Sequence, residues 1–143
     1  MKQELIDALI GISGKDYVFF AHEDIEGYLY DETEEFVRPE ACQDCVVIRP
    51  GTYEEVSAIL KLCNETKTPV IPRGGGTGAC GAAIPTVPSI IMSMERFREI
   101  LEVDETNMMV TCQTGVTLAK LNEYLDEHVH ALYFPCHPGD EGA

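Results

Sequence analysis

The sequence predicts an α+β protein: an N-terminal βαβ subdomain followed by a mixed sheet with helices. Three observations predict it. Two short apolar runs, "CVVIRP" and "PVIP", flank one capped helical period between Cys45 and Pro72. Two further runs, Ile100 to Asp104 and Met108 to Thr114, meet at the polar turn "DETN". A last helical period follows Thr117.

Each element has its own reason. Gln3 to Ile12 places Leu5, Ile6, Leu9 and Ile10 on one side of an amphipathic helix. Cys45 to Pro50 reads as a buried strand ended by proline. Thr52 and Glu55 form a capping box, and Val56, Ile59, Leu60 and Cys63 recur at helical spacing behind it. Pro69 to Pro72 is the next strand. Strand, helix and strand make a βαβ unit, expected to cross over right-handed. "SIIMSM", Ser89 to Met94, is another strand, and Asp104 to Asn107 turns a hairpin. Thr117 caps a helix with Leu118, Leu121 and Leu125 inward, and Ala131 to Pro135 reads as a last strand.

The chain has 143 residues, 45% of them hydrophobic. That suffices for one core and is too short for two sizeable ones. A net charge of -15 argues against nucleic acid and anionic membrane surfaces, which are bound through Lys and Arg. No apolar run is long enough to span a bilayer, and Glu4 and Asp7 stand where a signal peptide would be basic. A soluble, cytoplasmic protein is expected. Glu23 to Glu35 is rich in acid, has no basic residue and lacks the order of a calcium loop, so it reads as a solvated face. Of the 6 cysteines, only Cys42 and Cys45 form a C-x-x-C pair. Zinc would need a second close pair, so reduced thiols are expected, with Cys63 in the core.

The unusual stretch is "VIPRGGGTGACGAAIP", Val70 to Pro85, with glycines at 74, 75, 76, 78 and 81. Glycine is used where backbone bends sharply or approaches a ligand closely. A Walker A loop is rejected: the run contains no lysine, and Gly14-Lys15 has Leu9 and Asp16 where glycine and Ser/Thr belong. Gly76-x-Gly78-x-x-Gly81 matches a dinucleotide fingerprint by letters, but Pro85 and Pro88 forbid the helix that motif opens. Two readings stay open on physics alone: an anion-binding nest of backbone N–H groups, with Thr77 adding a hydroxyl, or a structural corner. Arg73 is free in either to pair with a carboxylate.

"PVIPRGGGTGACGAAIP" resembles the "PV-x-PRGGGTGLSGGA-x-P" loop of FAD-linked oxidases of the p-cresol methylhydroxylase/vanillyl-alcohol oxidase type. "YLYDETEEFVRPEACQDCVVIRPGTYEEVSAILKLCNE" is similar to that family's opening. "MSMERFREILEVDETNMMVTCQTGVTLAKLNEYL" is similar to "LSLERMNRILEID…QPGVTLAELN", and "FPCHPGDEGA" to "FPPDPGS-x-ATIGG". The match runs from about Tyr28 to the last residue in the family's order. Residues 1–27 then form an N-terminal helical segment, and 28–143 the first part of a PCMH-type FAD-binding domain.

The resemblance implies FAD. Pro72, Arg73, Gly74, Gly75, Gly76, Thr77, Gly78, Ala79, Cys80 and Gly81 would hold its pyrophosphate. Gly115 and Val116 match a turn near the cofactor, and Pro138, Gly139 and Asp140 match a second cofactor loop. Relatives with attached flavin carry a histidine in the glycine loop; none stands here, so noncovalent FAD is expected. Cys80 and Ala79 replace serine and leucine, Thr114 replaces proline, His137 replaces aspartate and Asp140 replaces serine. A carboxylate at Asp140 would repel a pyrophosphate unless it points away or binds ribose.

Within the family the chain is most similar to glycolate oxidase flavoprotein subunits and D-lactate and D-2-hydroxyglutarate dehydrogenases. This implies oxidation of a small 2-hydroxy acid by hydride transfer to FAD, with an electron-transfer partner subunit possible. The chain stops inside a family motif, so it is expected to be an N-terminal piece, inactive alone, whose substrate and catalytic residues lie beyond Ala143. The rival expectation is a non-catalytic module that binds a nucleotide or a partner protein.

Overall fold

The computed structural model describes residues 1–135. The elements are α1 (Gln3–Ser13), β1 (Val18–Phe19), α2 (His22–Ile25), β2 (Val46–Ile48), α3 (Tyr53–Thr66), β3 (Val70–Arg73), β4 (Ile90–Ser93), β5 (Ile100–Asp104), β6 (Met109–Cys112) and α4 (Leu118–His128). Short 3-10 turns at Lys15–Tyr17 and Glu26–Tyr28 flank β1 and α2.

Four strands form one sheet in the order β1-β2-β4-β3. β2, β4 and β3 run parallel, and β1 pairs antiparallel with β2 through Val18–Ile48 and Phe19–Val47. The predicted strand-helix-strand unit is present, but its two strands are not neighbours. β4 lies between them, with Ile90 opposite both Val46 and Val70. The reason is burial: β4 is apolar on both faces, "IIMS", and all four of its residues are buried. A strand of that kind belongs at the centre of a covered parallel sheet.

Alternation splits the sheet's side chains between two layers. Val46, Ile48, Ile90 and Met92 pack with Ile6, Leu9, Ile59 and Cys63 from α1 and α3. Val47 and Ile91 pack on the other side with Ile25, Leu29, Ala41, Cys45 and Ile84. The amphipathic first helix thus shares one core with the sheet and α3. Each fully buried aliphatic side chain here contributes about 1.5 to 3 kcal/mol.

The caps read in the sequence are present, with one variation. Thr52 Oγ1 accepts from Glu55 N at 3.1 Å, but Glu55 Oε2 accepts from Gly51 N, at 3.0 Å, one residue before the cap. Thr117 Oγ1 accepts from Lys120 N at 3.3 Å. β5 and β6 pair as the predicted hairpin, with Asp104 Oδ1 accepting from Asn107 N at 2.9 Å. Ala131 to Pro135 is not a strand. It borders an apolar opening together with Val103, Met109 and Leu121 of the hairpin and α4, and has no ladder partner among the described residues.

The acidic stretch is more than a solvated face. Ile25 and Leu29 are core residues, and Asp31 and Thr33 are both buried at 8% exposure. Cys45 is equally structural. Its thiol donates to Cys42 O at 3.2 Å, and burial pushes it up to about 11. No helix among the described residues is long and apolar enough to cross a membrane. Among them, too, no three His, Cys, Asp or Glu side chains cluster as a metal site.

Candidate functional site: a cleft beside the glycine loop

The glycine loop leaves the end of β3 and contains no helix before β4. It folds back sharply at two places, with positive φ at Gly76 (78°) and Gly81 (73°). Both angles lie where only glycine is comfortable. The buried acidic turn braces the loop from behind. Thr33 Oγ1 accepts from Gly81 N at 2.6 Å. Asp31 Oδ2 accepts from Ala83 N at 3.3 Å, while its Oδ1 accepts from Thr33 N at 3.1 Å.

Burial alone would raise the Asp31 pKa. Hydrogen bonds from Thr33 and Ala83 together outweigh it and hold the carboxyl below its ordinary value. A depressed carboxylate contributes stability above its unfolded pKa and loses it as pH falls through the folded value. Asp31→Ala is therefore expected to cost about 2 kcal/mol near neutrality. The gap from the parent protein should narrow as pH falls below the ordinary carboxylate value of about 3.9. Urea unfolding at several pH values measures it; a gap that does not change with pH would mean the carboxylate's charge plays no part.

Arg73 behaves differently from the sequence expectation of a carboxylate partner. Its side chain is buried, and its guanidinium donates to the carbonyls of Tyr30 (3.0 Å) and Gly27 (3.3 Å). Burial lowers its pKa from the ordinary value, opposed by the nearby Asp31 carboxylate. Arg73 thus ties the 27–30 segment to the start of the loop through its side chain.

In front of the loop lies a cleft of roughly 480 Å³. Gly74 and Gly75 line one wall, and Thr114, Gly115, Val116 and Thr117 another. The two stretches singled out in the sequence, far apart along the chain, therefore meet across one opening. Gly115 is held there because its N–H donates to Phe97 O at 2.8 Å. Pro72 is exposed on β3, and Gly76, Thr77, Gly78, Ala79, Cys80 and Gly81 continue the loop without lining this cleft. Pro138, Gly139 and Asp140 lie outside the described residues.

The sequence did not single out the cleft's polar end. Tyr28, Glu95 and Arg98 line it as well. Tyr28 Oη donates to Glu95 Oε1 at 2.8 Å and accepts from Arg49 Nη2. Arg49 Nε also stands 3.3 Å from Glu95 Oε2, an ion-pair distance without hydrogen-bond alignment. Burial, more than any neighbour, pushes the Tyr28 phenol above its ordinary value; Arg49 opposes and Glu95 adds to the shift. Aromatic-rich spacing in "EGYLYD" was the only signal for Tyr28.

From residue 74 to residue 80 the loop's donors, the backbone N–H groups and the Thr77 hydroxyl, meet no hydrogen-bond acceptor among the described residues. Their neighbours at 81 and 83 are both satisfied. A glycine-rich run of unsatisfied donors beside a cleft suits an anion.

Residues 45–142 match the family model described as an FAD binding domain, which is more than half of the chain. The chain belongs to the FAD binding domain family. It is 48% identical over 118 residues to a D-lactate dehydrogenase of Archaeoglobus fulgidus, covering 82% of this chain and 26% of that protein. It is 31% identical over 137 residues to the glycolate oxidase subunit GlcD of Bacillus subtilis, covering 95% of this chain and 28% of that one. The chain thus spans about a quarter of the length of these curated relatives. Among solved structures, p-cresol methylhydroxylase with substrate bound superposes with a TM-score of 0.73 at 20% identity, over 87% of this chain and 24% of that one. An alkyldihydroxyacetonephosphate synthase does so with a TM-score of 0.73 at 20% identity, over 89% and 25%. At such identities the superpositions establish the fold of the FAD binding domain, which is the predicted PCMH-type architecture in part.

Proposed function

We propose that this chain holds the pyrophosphate of a noncovalent FAD in a flavin-dependent enzyme that oxidises a small 2-hydroxy acid such as D-lactate or glycolate. The observation that carries the binding role is the run of N–H donors at 74–80 that meet no acceptor among the described residues, and that starts with Gly74 and Gly75 in the wall of the cleft shared with Gly115 and Val116. FAD, when bound, supplies the two-electron acceptor. The chain's own residues position it. Gly74 and Gly75 permit close approach of backbone, and Thr77 offers a hydroxyl. Asp31, Thr33 and Arg73 hold the loop in shape from behind, so its donors are preorganised rather than ordered on binding. Pro138, Gly139 and Asp140 belong to the same proposal as a second contact with the cofactor.

Support for noncovalent attachment is the absence of histidine between Arg73 and Gly81. The substrate class rests on the relatives' names. A partner subunit taking the electrons fits one relative's description as a subunit.

The test is a visible spectrum of the complete protein before and after anaerobic D-lactate or glycolate. A yellow protein that bleaches with one of them is expected. A yellow protein that bleaches with neither would overturn the substrate class and keep the cofactor. A colourless protein that takes up no FAD would overturn the whole reading.

A further inference from the structure

The cleft has a charge requirement that glycine donors alone do not meet. A pyrophosphate carries about two negative charges, and this chain already carries -15. Exposed charges more than about 8 Å apart are largely screened at physiological salt, so a cation at the cleft counts for more than one elsewhere. Two arginines line the cleft, Arg73 and Arg98. Arg73 is committed to the Gly27 and Tyr30 carbonyls. Glu95, the only acidic side chain among the described residues that line the cleft, is occupied by Tyr28 and Arg49.

Arg98 is held but not used up. Its Nε donates to Glu95 O, and its own carbonyl accepts from Lys120 Nζ at 2.6 Å. The terminal guanidinium nitrogens meet no acceptor among the described residues. The Nε bond thus holds the guanidinium at the cleft, and no described residue takes its two fork nitrogens.

We propose that Arg98 is a diphosphate-contact residue of the cleft, supplying the positive charge that the glycine loop lacks. The proposal rests on the FAD reading above. A guanidinium fork matches phosphate oxygens in a bidentate way that lysine cannot. Arg98 therefore favours ligands with the diphosphate of ADP or FAD over flavins without phosphate.

The complete protein, freed of flavin, is titrated with FAD, ADP and riboflavin at low and high salt. The variants are R98N, R98K and Lys61→Met, the last an exposed cation on α3. R98N is expected to weaken FAD and ADP roughly tenfold at low salt. It should also flatten their salt dependence and leave riboflavin unchanged. R98K should fall between R98N and the parent, and answers the question if R98N does not fold. Equal effects of R98N and Lys61→Met, or a loss that includes riboflavin, would overturn the assignment while FAD binding stands. A parent protein that takes up no FAD would overturn the reading beneath it, and this one with it.

Discussion

Replacing Gly115 with alanine is expected to destroy FAD binding by the complete protein and to destabilise the fold together. A Cβ there would collide with Met94 O and stand 2.8 Å from Phe97 O. Both are backbone atoms, so neither can swing aside as a side chain would. Met94 directly follows β4, whose residues are all buried, so its carbonyl cannot retreat far. Phe97 is in the core at 3% exposure and packs on the Tyr53 ring at 5.2 Å between centroids. The 114–117 turn has to move instead, losing the bond from Gly115 N to Phe97 O. Forcing volume into a tightly packed site costs roughly 1 to 3 kcal/mol, and here the cost should sit at the upper end. That movement also separates the cleft wall from Gly74, which faces Thr114 O. Thermal unfolding and FAD titration check the two halves of the prediction. A variant as stable as the parent, with unchanged affinity, would mean that the turn is more pliable than its contacts imply.

Valine at Gly76 and at Gly75 should separate two roles within one loop. At Gly76 the backbone has φ of 78°, and a Cβ would collide with the Arg73 guanidinium. Gly76→Val therefore strains the backbone and displaces the side chain that ties Gly27 and Tyr30 to the loop. A loss of stability of about 2 to 3 kcal/mol is expected, along with lost FAD binding. Gly75 is exposed and is not among the glycines of positive φ. Gly75→Val should leave the unfolding midpoint within about 0.5 kcal/mol of the parent, as surface changes usually do. Its FAD affinity should nevertheless fall by roughly a hundredfold, because the branched side chain enters the cleft. Unchanged affinity in Gly75→Val would return the loop to the role of a structural corner.

The contrast between these two glycines marks how far the sequence could be read. Local chemistry was legible wherever one short segment carried its own reason. The apolar runs of β2 and β4, the Thr52 cap and the Asp104 turn all stand where the residues place them. What the sequence concealed was non-local. Nothing within "IIMS" states that it inserts between β2 and β3; that follows from burial on both faces. Asp31 and Thr33 looked like part of an acidic surface because composition averages over a segment. The D-x-T spacing of an Asx turn was the available clue to a folded turn there. Its contact with Gly81 and Ala83, some fifty positions away, was not.

The same holds for the candidate site. The glycine loop and Gly115 could be named from motif and resemblance, and the fold brings Gly74, Gly75 and Gly115 to one cleft. Arg73 was named too, but its guanidinium turns to carbonyls behind the loop. Tyr28, Glu95 and Arg98 were missed because their roles arise from a tertiary meeting of three segments. The short helix α2 and the 3-10 turns were missed for a simpler reason. A single turn shows no periodicity to detect.

The central place of β4 also dictates the order in which this protein can assemble. β2 and β3 are both complete in the chain well before Ile90, yet neither pairs with the other. Until that late strand arrives, β2 has only its two-residue antiparallel pairing with β1, and β3 has no strand partner. As the chain emerges during synthesis, α3 can form by itself, but its two flanking strands have no parallel partner to join. The glycine loop must then fold over while β4 threads into the gap. Sheet formation and loop closure become one event, governed by the slow search of non-local pairing rather than by helix growth. A chain stopped at Pro85 should accordingly show helical signal without cooperative unfolding, and adding residues through Ser93 should restore hydrogen-exchange protection of the Val46 amide, which donates to Ser89 O.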